Sequence, residues 1–150
     1  ISACLVGSEM CIRDRLRPAY SGFRRTDRGE IVDTYHIANP SDYSRTLSNV
    51  VDGLLKVYSA NDIVILSSNL KKLEAAVEQS DLKVSKIDLL NTGRVRYGSI
   101  HKFKGLEALA VVLVDFPGST ISTRDTFYQA ATRATSKFAY LITDERLEEL

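Results

Sequence analysis

Two short, uninterrupted apolar runs constrain the fold of this chain more than any other feature. They are Ile63 to Leu66 (IVIL) and the longer Ala108 to Val114 (ALAVVLV). Apolar side chains on both alternating faces predict strands that are covered on both sides, as in a parallel sheet between helices. Both runs are far shorter than the ~20 apolar residues that a membrane helix needs. They therefore favour an α/β domain, and we expect no membrane contact.

Amphipathic segments alternate with these strands. One apolar stripe at helical spacing predicts a first helix, from Leu47 to Tyr58, and Leu70, Leu73 and Val77 predict a second. A third helix is expected to begin at Thr123 or Asp125 and to run through Ala134. Further strands are predicted over residues 30–38, 84–90, 95–99, 109–116 and 138–143. This alternation indicates an α/β fold with a mainly parallel sheet.

Charge and cysteine content limit the binding partners and the cellular environment that we expect for this protein. The formal net charge is +1, so any contact with nucleic acid must come from a local patch and not from a globally basic protein. Cys4 and Cys11 form neither a zinc spacing nor a disulfide framework, and we therefore expect a reducing, cytoplasmic environment.

The first residues are expected to lie outside the domain. Residues 1–15 (ISACLVGSEMCIRDR) have no helical or strand periodicity, and they resemble adapter bases translated from shotgun sequence. The chain also begins with Ile1 instead of methionine. We expect residues 1–28 to be non-native or disordered, residues 29–150 to form one domain, and the whole to be a piece of a longer protein.

Two polar segments follow predicted secondary structure and carry groups that suit phosphate chemistry. Residues 99–107 (SIHKFKGLE) combine a hydroxyl, an imidazole, two ammonium groups, a glycine and a carboxylate. Residues 127–135 (FYQAATRAT) carry a single guanidinium, that of Arg133, among small neutral residues. Because ligands bind at the carboxyl edge of parallel strands, we expect both segments there. Composition alone favours a solvated loop for the first segment and a surface ion pair for the second.

Together, and in this order, the segments resemble motifs V and VI of the superfamily 1 (UvrD/Rep-like) DNA helicases. Motif V has the approximate pattern T-[IV]-H-x-x-K-G-L-E before an apolar strand, and residues 99–107 depart from it at Ser99. Motif VI has the approximate pattern Y-V-[AG]-[LM]-[TS]-R-A, and residues 128–134 (YQAATRA) depart from it at Gln129 and Ala131. The resemblance extends over about residues 30–144.

This resemblance implies a RecA-like lobe, in which helices flank a mainly parallel sheet of the P-loop NTPase type that lacks its own phosphate loop. The lobe would be the second of the two in an ATP-dependent DNA helicase or translocase. ATP and Mg²⁺ would be held mainly by an N-terminal RecA-like lobe. By position, Arg133 is the catalytic arginine finger and contacts ATP, Glu107 contacts the ribose, and Gly105 lets the backbone approach the nucleotide.

The same resemblance implies contacts with single-stranded DNA. Ser99 and His101 match the family's strand-contacting positions, and Lys102 is a weaker candidate for a phosphate contact. One segment would then touch both ATP and DNA, so that closure of the cleft between the lobes could shift the strand. No residue is assigned to a metal, and His36 has no assigned role.

Parts of a complete motor are absent from the sequence. The 150 residues contain no G-x-x-x-x-G-K-[ST] phosphate loop and no acidic Mg²⁺ motif, so we expect no ATP hydrolysis by the chain alone. The main alternative is a non-catalytic nucleic-acid-binding or interaction module built on a degenerate lobe. An unrelated phosphate-handling enzyme ranks lower, because no nucleophile has a base beside it.

Overall fold

The computed structural model describes residues 32–89, 93–115 and 120–143. Strands and helices alternate along these ranges as far as Val84–Lys86, after which two more strands follow with no helix among the described residues between them. Short 3-10 helices, Pro40–Asp42 and Ala60–Asp62, precede the first α-helix and the second strand. The elements are β1 (Asp33–His36), α1 (Tyr43–Leu55), β2 (Ile63–Ser67), α2 (Leu70–Glu78), β3 (Val84–Lys86), β4 (Val95–Ser99), β5 (Ala108–Val114), α3 (Thr120–Ala131) and β6 (Ala134–Ile142).

The described strands form one sheet in the order β1-β6-β5-β2-β4-β3, and every adjacent pair is parallel. Ser67 of β2 pairs in register with Ser99 of β4 and with Val114 of β5, so these three residues mark the carboxyl edge. The predicted α/β fold with a mainly parallel sheet is therefore confirmed.

The central strands bury side chains on both faces, as expected from their uninterrupted apolar runs. Ile63 and Ile65 point to the face covered by α1 and α2, whereas Val64 and Leu66 point to the opposite face. Residues 100–107 and α3 cover this second face. We call these the first face and the second face. Fully buried side chains at the centre of the two layers are those of Leu47, Leu73, Phe103, Leu113, Phe138 and Tyr140.

The boundaries of the third helix and the last strand differ from the prediction. The helix is already formed at Thr120 and ends at Ala131, so neither Thr123 nor Asp125 is its cap. Ala134 belongs to β6 and pairs with Ala108 of β5. Alanine suits a helix and a close sheet contact equally, and periodicity could therefore not place this boundary.

Other boundaries are shifted by smaller amounts. β1 and β3 are shorter than predicted, whereas β4 coincides with residues 95–99. The expectations for residues 1–28 and for the ends of two predicted strands, Leu90 and Phe116, lie outside the described residues.

Candidate functional site

Residues 100–107 span the height of the sheet without a helix. They leave β4 at the carboxyl edge, level with Ser67. They enter β5 at Ala108, two residues before Ala110, which pairs with Ile63 at the start of β2. At about 3.3 Å per strand residue, the distance covered is about 20 Å. This segment is called the crossover below. Because it joins two parallel strands of one sheet, its two ends must lie at opposite edges.

The crossover is held on the second face by two buried side chains and a series of turns. Ile100 and Phe103 are buried, and the Phe103 amide donates to the Ile100 carbonyl at 3.2 Å. Two further turns follow, in which the Lys104 amide donates to His101 at 3.3 Å and the Leu106 amide to Phe103 at 3.1 Å. Gly105 has a φ of 84°, and a Cβ built on it would meet no atom of the described chain within 4 Å. The positive φ favours glycine at this position, and the space beside Gly105 is open.

Three predicted DNA contacts lie together at the carboxyl edge. The Ser99 hydroxyl accepts a 3.4 Å hydrogen bond from the Lys102 amide, which turns the chain just beyond β4. The His101 side chain is exposed. The Lys102 ammonium is also exposed, but it forms an ion pair with the Asp88 carboxylate. The sequence gave no sign of the Asp88 contact.

The predicted nucleotide contacts lie together at the amino edge. The Ala108 amide donates to the Arg133 carbonyl at 3.0 Å, so Glu107 and Arg133 are neighbours across β5 and β6. The Arg133 amide donates to Ala130 at 3.0 Å, which ends α3 immediately before the strand. Glu107 is exposed and Arg133 is partly buried. Within the described ranges, neither side chain forms an ion pair or a hydrogen bond.

The position of Arg133 depends on how α3 packs on the second face. The Phe127 ring meets Phe138 and Tyr140 edge-on, at centroid distances of 5.2 and 5.1 Å. Such perpendicular aromatic pairs are favourable beyond the apolar area that they bury. They fix the end of the helix, and with it Arg133 two residues later, beside the start of β5.

The expectation that both segments lie at the carboxyl edge was wrong. Ser99, His101 and Lys102 do lie there, but Gly105, Glu107 and Arg133 lie at the amino edge. The reason is topological, since β4 ends at one edge and β5 begins at the other. The two sets of predicted contacts are thus separated by the height of the sheet, with the crossover between them.

A polar network that the sequence did not predict is centred on Asp115, directly after β5. Its carboxylate accepts hydrogen bonds from the Tyr43 hydroxyl at 2.5 Å and the Ser67 hydroxyl at 3.1 Å, and it pairs with the Lys72 ammonium at 2.7 Å. The Asp115 side chain is 6% exposed. Burial and the neighbouring carboxylate raise the pKa of Tyr43 well above its usual range. The one sequence signal was an aspartate following a buried strand.

This network borders a groove of about 240 Å³ at the carboxyl edge. Asn69 and Lys72 lie on one side, and Ile37, Leu141 and Thr143 on the other. Strands β2 and β5 are neighbours in the sheet. The connection that leaves β2 crosses the first face, whereas the one that leaves β5 crosses the second face, so the groove lies at a topological switch point. Ligands of open α/β sheets bind at such points.

Two further findings apply to the described residues. They contain no cluster of three or more histidine, cysteine, aspartate or glutamate side chains that could hold a metal ion. They also contain no helix that is both long and apolar enough to cross a membrane.

The fold first defines a class, that of α/β domains built on an open parallel sheet. A solved structure with a similar fold is the C-terminal domain of a possible DNA helicase from Lactobacillus plantarum WCFS1. The TM-score is 0.65 at 16% sequence identity, over 77% of this chain and 75% of that one. At this identity, the likeness concerns the fold.

The sequence of the site is similar to that of a known family. Residues 95–141 match the model of the UvrD-like helicase C-terminal domain. The matched segment contains both the crossover and Arg133. No curated protein matches the chain. The resemblance found from the two motifs is therefore confirmed over this segment.

Proposed function

We propose that this chain is the second motor lobe of an ATP-dependent DNA helicase or translocase. One observation carries the proposal: the segment that matches the UvrD-like domain brings Glu107 and Arg133 side by side through the 3.0 Å hydrogen bond from Ala108 to Arg133. These residues are 26 positions apart in the sequence (133 − 107), yet both charged ends lie at one edge and form no ion pair with another described residue.

The amino edge is the proposed nucleotide side. The Arg133 guanidinium can brace the charge that develops on a transferring phosphoryl group, because it is a fixed cation with several planar donors. The Glu107 carboxylate can accept a hydrogen bond from a ribose hydroxyl. The open space at Gly105 lets a ligand approach the backbone without meeting a side chain. These groups fit the sugar and the terminal phosphate of ATP.

The remaining nucleotide contacts would come from a second lobe. The chain has no phosphate loop, and no metal cluster occurs in the part that the structure describes. An N-terminal lobe of the parent protein would hold the triphosphate and Mg²⁺, which supplies charge neutralisation when bound. This chain would complete the site when the two lobes close.

The carboxyl edge is the proposed DNA side. Ser99 and His101 offer a hydroxyl and an imidazole, and Lys102 offers a point charge for a backbone phosphate. The crossover joins this edge to the nucleotide side through the buried side chains of Ile100 and Phe103. Movement of the amino edge on lobe closure would therefore be transmitted to the strand-contacting residues.

Replacement of the proposed finger tests the motor assignment. In a protein that joins this chain to its phosphate-loop lobe, we expect Arg133→Ala to lower DNA-stimulated ATP turnover by about a thousandfold, the usual scale for such a residue. Nucleotide binding should change little. The measurement is steady-state ATPase activity with saturating single-stranded DNA, together with equilibrium binding of a fluorescent ATP analogue.

Arg45→Ala is the matched control, since Arg45 is an exposed arginine of α1 that pairs with the nearby Asp42 at 2.8 Å. It should leave turnover unchanged. Normal turnover in Arg133→Ala would contradict the finger assignment. ATP hydrolysis by the 150-residue chain alone would contradict the division of labour between two lobes.

A further inference from the structure

The Lys102 ammonium, which is proposed to contact a nucleic-acid phosphate, already has a carboxylate partner in the protein. Asp88 lies two residues beyond Lys86, which pairs in register with Tyr97 of β4. Asp88 lies in the turn that follows β3, in which the Leu89 amide donates to the Lys86 carbonyl at 3.0 Å, and its carboxylate forms an ion pair with Lys102 just beyond the end of β4. Part of the positive charge of the proposed DNA side is thus already neutralised by the protein.

This ion pair differs from the other lysine–aspartate pair at the same edge. Lys72 binds the Asp115 carboxylate, which is 6% exposed and also accepts two hydroxyl groups. The Lys102 and Asp88 side chains are 53% and 56% exposed. Exposed ion pairs are weak, and a lysine is a single flexible point charge that can exchange partners. Lys102 is therefore the ammonium that a phosphate can take over.

We propose that Asp88 competes with the nucleic-acid backbone for Lys102 and so sets the affinity for a single strand. The carboxylate occupies the ammonium when the strand is absent and takes it back when the strand leaves. Each binding event then exchanges one ionic contact for another, which weakens binding and favours release. The inference rests on the proposed function, since it assumes that the carboxyl edge meets nucleic acid.

The consequence is a specific change in affinity and in salt dependence. Asp88→Asn keeps the shape of the side chain and removes its charge, so Lys102 becomes free for a phosphate. We expect binding of a single strand to tighten about two- to fivefold, the range set by an exposed ion pair. Lys102 meets the same phosphate in both proteins once the strand is bound, so the slope of log affinity against log salt should change by less than about 0.7, the value for one additional phosphate on a single strand.

The experiment measures binding of fluorescent oligothymidylate of about 12 nucleotides to the 150-residue chain by anisotropy. Salt is varied from about 50 to about 200 mM. The variants are Asp88→Asn, Lys102→Ala and the double variant. Asp81→Asn is the control, because it removes the same charge from an exposed aspartate on the amino side of β3. Circular dichroism checks that all variants are folded.

The inference requires that Asp88→Asn binds more tightly than wild type and Asp81→Asn, and that its effect disappears when Lys102 is alanine. If wild type binds in a salt-dependent manner but Asp88→Asn binds no better than Asp81→Asn, the inference is overturned and the proposed function stands. If neither wild type nor Asp88→Asn binds the strand, the DNA side of the proposed function fails as well.

Discussion

Asp115 shows how much of the carboxyl edge depends on one side chain. It has a φ of 56°, in the left-handed region that aspartate tolerates better than most residues. In this conformation its carbonyl accepts from the Ser68 amide at 3.3 Å, while its carboxylate holds Tyr43, Ser67 and Lys72. A single residue therefore connects the ends of β2 and β5 to the first turns of α1 and α2.

Removal of the Tyr43 hydroxyl should destabilise this connection. A hydrogen bond to a charged acceptor contributes about 1.5–3 kcal/mol, so we expect Tyr43→Phe to lower the free energy of unfolding by about 2 kcal/mol. Tyr35→Phe is the control, because its hydroxyl bond to Asp33 is longer, at 3.4 Å. Urea denaturation at neutral pH measures both, and equal losses would show that the Asp115 contact has no special role.

The loss should also depend on pH with a definite sign. The pKa of Tyr43 is raised in the folded protein by burial and by Asp115, so its contribution to stability is complete below its usual pKa of about 10. Above that pH the unfolded chain ionises while the folded phenol stays neutral, and this contribution decreases. The stability difference between wild type and Tyr43→Phe should therefore be constant from pH 7 to about 9 and shrink above about pH 10.

At the scale of elements, strand β4 is shaped by its contact with the chain after β3. A Cβ built on Gly98 would lie 2.5 Å from Ile87 Cδ1 and 3.1 Å from Cγ1. Gly98 therefore lets the isoleucine cover the second face beside the crossover. Gly53, on the exposed side of α1, is the opposite case, since a Cβ built there would meet no described atom within 4 Å outside the backbone of its own helix. Replacement by alanine should therefore have opposite effects on stability at these two positions.

We expect Gly98→Ala to destabilise the protein by about 1–3 kcal/mol, the cost of overpacking. Gly53→Ala should stabilise it by about 0.5–1 kcal/mol, because alanine is the better helix residue. Thermal denaturation of both variants tests the prediction. Ile87→Val removes the clashing Cδ1 atom, so the double variant Gly98→Ala/Ile87→Val should recover part of the lost stability. If the losses of the two single variants simply add in the double variant, the contact with Ile87 is not the cause.

The whole molecule separates two proposed sites by the height of one sheet. Ser99, His101 and Lys102 lie at the carboxyl edge, whereas Glu107 and Arg133 lie about 20 Å away at the amino edge. Charges that far apart are largely screened at physiological salt, where the Debye length is about 8 Å. In the chain alone, the two edges should therefore act independently.

If the proposed function holds, His101→Ala should weaken binding of single-stranded DNA to the 150-residue chain by about five- to tenfold, equivalent to the loss of one contact. Arg133→Ala should leave that affinity unchanged, although we expect it to lower turnover strongly in the joined motor. Anisotropy titrations at one salt concentration compare the two variants. If Arg133→Ala weakened DNA binding as strongly as His101→Ala, the arginine itself would contact the DNA, in addition to the crossover.

Local sequence accounts for much of the fold. The apolar runs at 63–66 and 108–114 predicted strands buried on both faces, and each of them splits its side chains between the two layers. The helical stripe from Leu47 onward predicted α1 because its apolar spacing matches one helical face. Boundaries failed where residues such as Ala134 suit both a helix and a strand.

The sequence by itself determined the alternating elements and the two motifs, because periodicity and short motifs are carried by residues close together in the chain. Only the tertiary structure decided that the motifs meet at the amino edge, that Asp88 holds Lys102, and that Asp115 binds Tyr43, 72 residues away. These contacts depend on strand order and on the return of the crossover across the sheet. No local pattern encodes that order, since it arises from the burial of all the elements at once.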